Sequence, residues 1–483
     1  MSDGTAKATT PTPMTPDICV IGAGANGIAL ATAAAAFGVS VVLVEKAALG
    51  GPPGPLALKA LIEAAATTRI SRQAGQAGSK ADHPPVSAAQ LHDAIQRAGA
   101  AEAANHSRQR LTALGITVLH GEARFASRST VVVEGLPIKA RRFVVATGAR
   151  PARPDLPGLD EVPTLGVDDL AGLTRLPERP IVLGGGATGA ALAQALQRLG
   201  SAASLVAPEG LLAEHDAEAA LLVRRSLLRE GLTLHEMRPP IRAERSRSGL
   251  RLILSGTAGD IVVEGSHLLV AASHKPEISA LDLDLGGIRH DASGILVDKG
   301  LRTSNRRVYA LGGCAGGAAK AATDNAGDDH VGLVLRNALF RQPVRIDPAG
   351  YPRVAWCRPE IAAIGLSEAA ARTEAREVRV LRWPFAEIAG SRATGETEGF
   401  VKLVTDRKGR ILGVTIVGVG AGELIAPWCV AAKAGLAVTD MAGIVMPALA
   451  RADASRRAAL SFHAATATNP RLRRLIGFLR RFG

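Results

Sequence analysis

Ile18-Cys-Val-Ile-Gly22-Ala-Gly24-Ala-Asn-Gly27 is an apolar strand running into a glycine turn, and Ile181-Val-Leu-Gly184-Gly-Gly186-Ala-Thr-Gly189 repeats it further along the chain. In such a turn the first glycine makes the bend and the second lets a pyrophosphate approach the backbone. The third lets the next helix lie close on the strand, with its N-terminus facing the phosphates. One match of this kind is weak. Here the surroundings agree twice. Gly22, Gly27 and Gly38 correspond at one constant offset to Gly184, Gly189 and Gly200, and each copy continues into an Ala/Leu-rich helix and a second strand. The pattern is that of two βαβ units in an α/β fold with two Rossmann-like domains. Two nucleotide sites in one chain imply a flavin and a nicotinamide held face to face.

The two copies differ at the ribose. Glu45 stands roughly 20 residues past the third glycine, where a carboxylate holds a ribose hydroxyl pair. The matching place in the second copy is Ala207; Glu209 lies beyond Pro208, and no arginine follows at once for a 2′-phosphate. The glycine turn survives while the ribose anchor is missing, so the second unit is either a nicotinamide site or a fold copy that binds NAD(P)H weakly or not at all.

At 483 residues the chain is too long for one core. Its composition is globular, with 47% hydrophobic and 21% charged residues, and only 3% aromatics, so Ala, Val, Leu and Ile must build the cores. The net charge of +13 comes from scattered basic residues. Attraction to anionic ligands or lipid is one reading and a solvating surface the favoured one; no nucleic acid partner is expected. Cys19, Cys314, Cys357 and Cys429 are far apart, which argues against a disulfide framework and a zinc site and fits a reducing cytoplasm. No metal ligand spacing occurs among the histidines, and no apolar run is long enough to cross a membrane.

The expected organisation is a disordered tail over 1–16, a flavin domain beginning at 17–150, a nicotinamide-type domain over 151–272 and a central segment at 273–345. An α+β dimerisation domain at 346–466 and a basic amphipathic helix at 467–483 follow. Helices are expected over much of 52–115, at 328–340, 423–434 and 453–464, and strands at 398–405 and 411–417.

Further segments carry a resemblance: Val145-Ala-Thr-Gly-Ala-Arg-Pro151, Tyr309-Ala-Leu-Gly-Gly313, Pro359-Glu-Ile-Ala-Ala-Ile-Gly365 and Gly399-Phe-Val-Lys-Leu-Val404. With the glycine turns, they make the chain resemble the FAD-dependent pyridine nucleotide–disulfide oxidoreductases, in the branch of dihydrolipoamide dehydrogenase and mercuric reductase. The resemblance implies a homodimer in which hydride passes from nicotinamide to FAD and on to a cysteine pair, with a histidine–glutamate pair from the partner subunit as acid–base. It implies FAD contacts at Gly22, Gly24, Gly27, Glu45, Lys46, Gly51, Lys59, Ala123, Ala146, Thr147, Gly148, Gly312 and Gly313. Nicotinamide contacts fall at Gly184, Gly186 and Gly189.

The departures fall on the working residues. Aligning the family's cysteine helix on Gly54-Pro-Leu-Ala-Leu-Lys59 puts Pro55 at the second cysteine and the first in a short deletion. Proline has no thiol, so dithiol exchange is not expected there. Lys59 matches a lysine near the flavin ring and is the one tentative catalytic residue, with a solvated helix lysine as its alternative. Its family partner, a glutamate, corresponds to Ala191. The aspartate that holds the ribityl chain corresponds to Gly313, and an Ala-Thr-Gly-Arg-like stretch appears as Ala271-Ala-Ser-His274. The acid–base pair corresponds to Ala448 and Asp453, and alanine moves no proton. Asp453 is expected to cap the helix after it. Cys314 is the only cysteine placed to substitute, and an inert buried thiol is the favoured reading.

From Arg471 to Phe482, apolar residues recur at helical spacing opposite five arginines, with Asn469-Pro470 as a plausible cap. The stripe suits an anionic membrane surface or the body of the dimer, and its regularity favours packing. The expected activity is an FAD-dependent NAD(P)H oxidoreductase with a small-molecule, non-thiol acceptor; the alternative is a flavin-binding pseudoenzyme.

Overall fold

The computed structural model describes residues 11–51, 54–76, 86–256, 259–271, 274–319, 327–374, 377–464 and 470–482. Most of the N-terminal tail, the Gly/Pro-rich stretch 77–85, Ala272–Ser273 and the proposed cap Asn469 lie outside them.

β1 (Ile18–Ile21) is buried along its whole length, as β-branched residues between two strands should be. It enters α1 (Ala25–Ala36), whose alanines let the helix lie close on the sheet, and the chain returns as β2 (Val41–Glu45). α2 (Gly54–Gln76) follows, and β3 (Ile116–His120) extends the sheet beyond β2. With strands Arg142–Val145 and Val308–Ala310 on the other side of β1, these make a five-stranded parallel sheet. The second sheet has the same form. Pro180–Leu183 lies between Ser204–Ala207 and His267–Val270, with Thr233–Glu236 and Thr164–Gly166 at the edges. Leu183 pairs with Val206 as Ile21 pairs with Val44, so the repeat in sequence is a repeat in register.

The third unit is antiparallel. Strands Arg353–Ala355, Glu360–Gly365, Ile411–Gly418, Phe400–Asp406 and Val378–Pro384 lie in that spatial order. One apolar core joins α2 to the second sheet and the third unit: Ala57 and Leu61 share it with Leu192, Leu196, Phe400 and Val417.

Several expectations need correction. The tail ends before residue 16, because Met14 pairs with the edge strand Leu136–Ile138 through its N–H to Pro137 and its carbonyl to Lys139. The helix expected over 423–434 is two, Ala421–Leu424 and Ala426–Ala434, since Pro427 lacks the N–H a continuous helix needs but suits a first turn. Asp453 opens its helix without capping it; its carboxylate takes Arg456 (2.8 Å) and Arg457 (2.6 Å) instead. The final helix, Pro470–Leu479, does not bury its stripe within its own chain: Leu475, Ile476, Phe478, Leu479 and Phe482 are all exposed there. Among the described residues no helix is long and apolar enough to cross a membrane.

Candidate functional site: a dinucleotide cradle and its eroded copy

Gly22 takes φ +103°, and a Cβ there would meet the Ala146 carbonyl oxygen at 2.5 Å. A Cβ on Gly27 would drive into the Gly22 carbonyl, so α1 reaches the strand only because both positions are bare. Around Gly24 the space is open. This residue is the N-cap of α1, and no side chain caps the helix behind it. The first amides of α1 are therefore left to a ligand, and an anion is what they favour.

Glu45 reaches back under this turn. Its carboxylate accepts the Ala23 N–H at 2.6 Å and the Ala47 N–H at 2.9 Å. A cleft of about 60 Å³ opens beside it, lined by Gly22, Glu45, Lys46, Ala123 and Thr147. The Thr147 hydroxyl is buried in its wall, with the Cys314 thiol as a polar neighbour. Gly51 packs on Gly24, and Gly148 takes φ +72° with open space above it. The cleft thus brings Gly22, Glu45, Lys46, Ala123 and Thr147 together, and Gly24, Gly27, Gly51 and Ala146 pack in the glycine turn next to it. The bare glycine turn and the uncapped amides of α1 fit the pyrophosphate of a dinucleotide such as FAD.

Two residues of this corner escaped the sequence reading. Glu277 holds Lys46 (3.3 Å) and Arg150 (3.4 Å) from far along the chain. Asn26 packs its amide against the bare Cα atoms of Gly312 and Gly327. No local signal marks either residue. Gly313 has no room for the aspartate that the resemblance would put there, because a Cβ would meet Ala149 N at 3.0 Å and Ala149 Cβ at 2.9 Å.

The start of α2 is closed by different groups. Pro55 lies in the first helical turn, where its missing N–H costs nothing. The Asp168 carboxylate presses on the Cα of Gly54, and burial holds it above the usual carboxylate range. Lys59 turns away into an ion pair with Glu63 (2.8 Å) and lies over the Trp356 ring, 4.1 Å from its centroid. Ala191 is buried on the helix that packs against α2. Ala448 lies in a loop that, with Asp453, lines a cavity of about 420 Å³ in the third unit. Against the burial that would raise it, the two arginines hold Asp453 below its ordinary range.

The cysteines are free and dispersed. Burial pushes the Cys19 and Cys357 thiols up to about 12. Cys314 is raised by burial as well, and its Sγ donates to the carbonyls of Val145 (3.4 Å) and Leu311 (3.3 Å). A thiol so held is a poor nucleophile at neutral pH. Titration of the native protein with an aromatic disulfide at pH 8 should therefore label Cys429 alone within minutes, with the other three appearing on denaturation. Rapid labelling of Cys314, located by mass spectrometry, would contradict this.

The second turn repeats the backbone and changes its surroundings. Gly184 takes φ +128°, a Cβ on Gly189 would enter the Gly184 carbonyl, and Gly186 is the uncapped N-cap of helix Ala187–Leu199. Ala207 occupies the position of Glu45 and is fully buried. Where Gly24 faces open space, Gly186 has the Glu214 carboxylate beside it, 3.6 Å from the place of a Cβ.

The profile of the pyridine nucleotide-disulphide oxidoreductases matches residues 16–328, and that of their dimerisation domain matches 351–459. The chain belongs to this family. Its members bind FAD and use NAD(P)H, and the dimerisation domain indicates a homodimer. A mercuric reductase of Streptomyces lividans is 32% identical, with 92% of this chain and 96% of that protein covered. A dihydrolipoyl dehydrogenase of Thermus scotoductus is 32% identical over 92% and 97%. A mercuric reductase of Lysinibacillus sphaericus is 30% identical over 92% and 82%. Among solved structures, the HOCl-induced flavoprotein disulfide reductase RclA of Escherichia coli superposes with a TM-score of 0.77 at 20% identity, covering 92% of this chain and 99% of that one. That likeness confirms the α/β architecture.

Proposed function

We propose that this family member is a homodimeric FAD flavoprotein that takes hydride from NAD(P)H and passes electrons to a non-thiol acceptor, such as a quinone, a dye or dioxygen, with no redox-active cysteine pair. The observation that carries this reading is the contrast between a built cradle at Gly22–Gly27 and a helix start at Gly54-Pro55 without a thiol. FAD, when bound, supplies acceptance of a hydride and its release as electrons. The chain's own part is to hold it. The amides of α1 would face the pyrophosphate and Glu45 the ribose, and Gly148 leaves open space beside them. Hydride transfer needs stacking and exclusion of water, which survive the loss of a side-chain nucleophile.

Anaerobic titration with NADH and NADPH tests the proposal. Flavin absorbance should bleach with one reducing equivalent pair per flavin and return on adding a soluble quinone. Uptake of a second pair, the mark of a disulfide beside the flavin, or turnover with a disulfide substrate would overturn it.

A second reading, a flavin-binding protein without turnover, is favoured by Ala207 and Glu214. A carboxylate at a helix N-terminus sits where dinucleotide phosphates would. If the second site works against this charge, Glu214→Gln should lower the KM for nicotinamide about two- to five-fold. Flavin that neither nicotinamide bleaches, in parent and E214Q alike, would select the second reading.

A further inference from the structure

The final helix, Pro470–Leu479, continues through a last turn in which Arg480 N–H bonds the Ile476 carbonyl (2.9 Å) and Phe482 N–H bonds that of Leu479 (3.0 Å). At helical pitch, Leu472, Leu475, Ile476, Phe478, Leu479 and Phe482 fall within about 160° of arc. Arg473, Arg474, Arg480 and Arg481 occupy the opposite side, around Gly477, and of the five arginines only Arg471, in the first turn, falls on the apolar side. From residue 461 onward the sequence contains no acidic residue. The apolar side is bare: Leu475 is 51% exposed, Ile476 49%, Phe478 54%, Leu479 55% and Phe482 74%. Phe478 and Phe482 stack edge-on at 5.0 Å, presenting one broad aromatic surface.

An apolar face this continuous costs free energy in water and calls for a cover. A second copy of the helix is a poor one, because it would bring four more arginines beside the first four in a molecule that already carries +13. The match to the dimerisation domain also ends at residue 459, short of this helix. An anionic bilayer satisfies both halves at once. Its acyl boundary takes the leucines and phenylalanines, and its headgroup phosphates take the guanidinium groups, which pair with phosphate in fork geometry.

We propose that residues 470–482 lie in the plane of an anionic membrane surface and hold the protein there peripherally. The proposal is independent of the electron acceptor and of whether the second nucleotide site turns over.

The test is co-sedimentation of the full-length protein with vesicles of phosphatidylglycerol and phosphatidylcholine, against vesicles of phosphatidylcholine alone. The parent should pellet with the anionic vesicles and little with the neutral ones. Raising the salt to about 0.5 M should weaken binding. Leu475→Asp with Leu479→Asp should abolish it. Arg474→Gln, Arg480→Gln and Arg481→Gln together should lower partitioning roughly a hundred-fold, at about five-fold per charge. Circular dichroism and light scattering on each variant monitor the fold and the dimer. Absence of the parent from anionic pellets, or equal pelleting by L475D/L479D, overturns the proposal. If L475D/L479D leaves vesicle binding intact and breaks the dimer, the face is a subunit contact and the proposal is likewise overturned.

Discussion

Gly27→Ala is expected to strip FAD from the purified protein while leaving a folded chain. The added Cβ enters the Gly22 carbonyl and comes within 3.5 Å of the Ala146 side chain, so α1 must move off β1. Overpacking of this kind costs about 1–3 kcal/mol. Here the cost falls on the turn that aims the amides of α1, so the flavin affinity should drop by up to roughly a hundred-fold. The companion Gly189→Ala places the same methyl group against the Gly184 carbonyl of the second copy. It should keep its flavin and lose reduction by NADH and NADPH. The flavin-to-protein absorbance ratio after gel filtration reads the first effect, and anaerobic bleaching reads the second. Full flavin content in G27A, or equal loss in both variants, would remove the assignment of the two turns to different nucleotides.

The second large effect concerns a charge with no part in nucleotide binding. Lys402 is 3% exposed, and its Nζ donates to Asp216 at 2.9 Å and to Glu368 at 3.0 Å, with Glu218 at 3.4 Å. Asp216 also caps helix Ala217–Arg229 through the N–H of Glu218, so this one lysine ties the second unit to the third. Lys402→Met leaves the buried Asp216 carboxylate without its cation, while Glu368 keeps Arg372, and removing one partner of a buried pair costs about 3–5 kcal/mol. The urea midpoint should fall accordingly, and an unchanged midpoint would refute the role.

The same cluster sets a pH window. Burial pushes Lys402 down, but the hydrogen bonds to Asp216 and Glu368 outweigh it and raise the ammonium above its ordinary 10.5. The stabilisation is therefore complete below 10.5 and fades as pH rises toward the higher folded value. Lys402, followed by Arg372, holds Glu368 below its ordinary 4.5, so that contribution is complete above 4.5 and fades as pH falls. Stability should form a plateau between these limits, and K402M should lose the fall on the alkaline side.

Much of the architecture was legible because it is local and periodic. The paired glycine turns, the apolar strands after them and Glu45 all act within one βαβ unit, where spacing along the chain maps directly onto distance in space. The comparison of Glu45 with Ala207 also worked from sequence, since the two sheets share one register. Lys402 was not legible as a joint. In sequence it is one residue of a Gly-Phe-Val-Lys strand, and its partners come from segments that meet it through folding alone. Glu277, Asn26 and Asp168 were missed for the same reason: each acts on a residue far from it along the chain. The final helix is the opposite case. Its periodicity was read correctly, but whether a stripe is buried depends on what stands opposite it, which no pattern within the helix records.

The chain's sequence by itself therefore determined two nucleotide folds, the family they belong to and the dispersal of its cysteines, because glycine conformational freedom and apolar period are properties of neighbouring residues. The tertiary structure decided the rest. It leaves Gly24 open and lays Glu214 beside Gly186, turns Lys59 onto Trp356, packs Ala149 where an aspartate at 313 would need room, and exposes the last helix. Each of these depends on which distant atoms share a few ångströms of space, and at that range sterics and charge, rather than the local pattern, set what a site can hold.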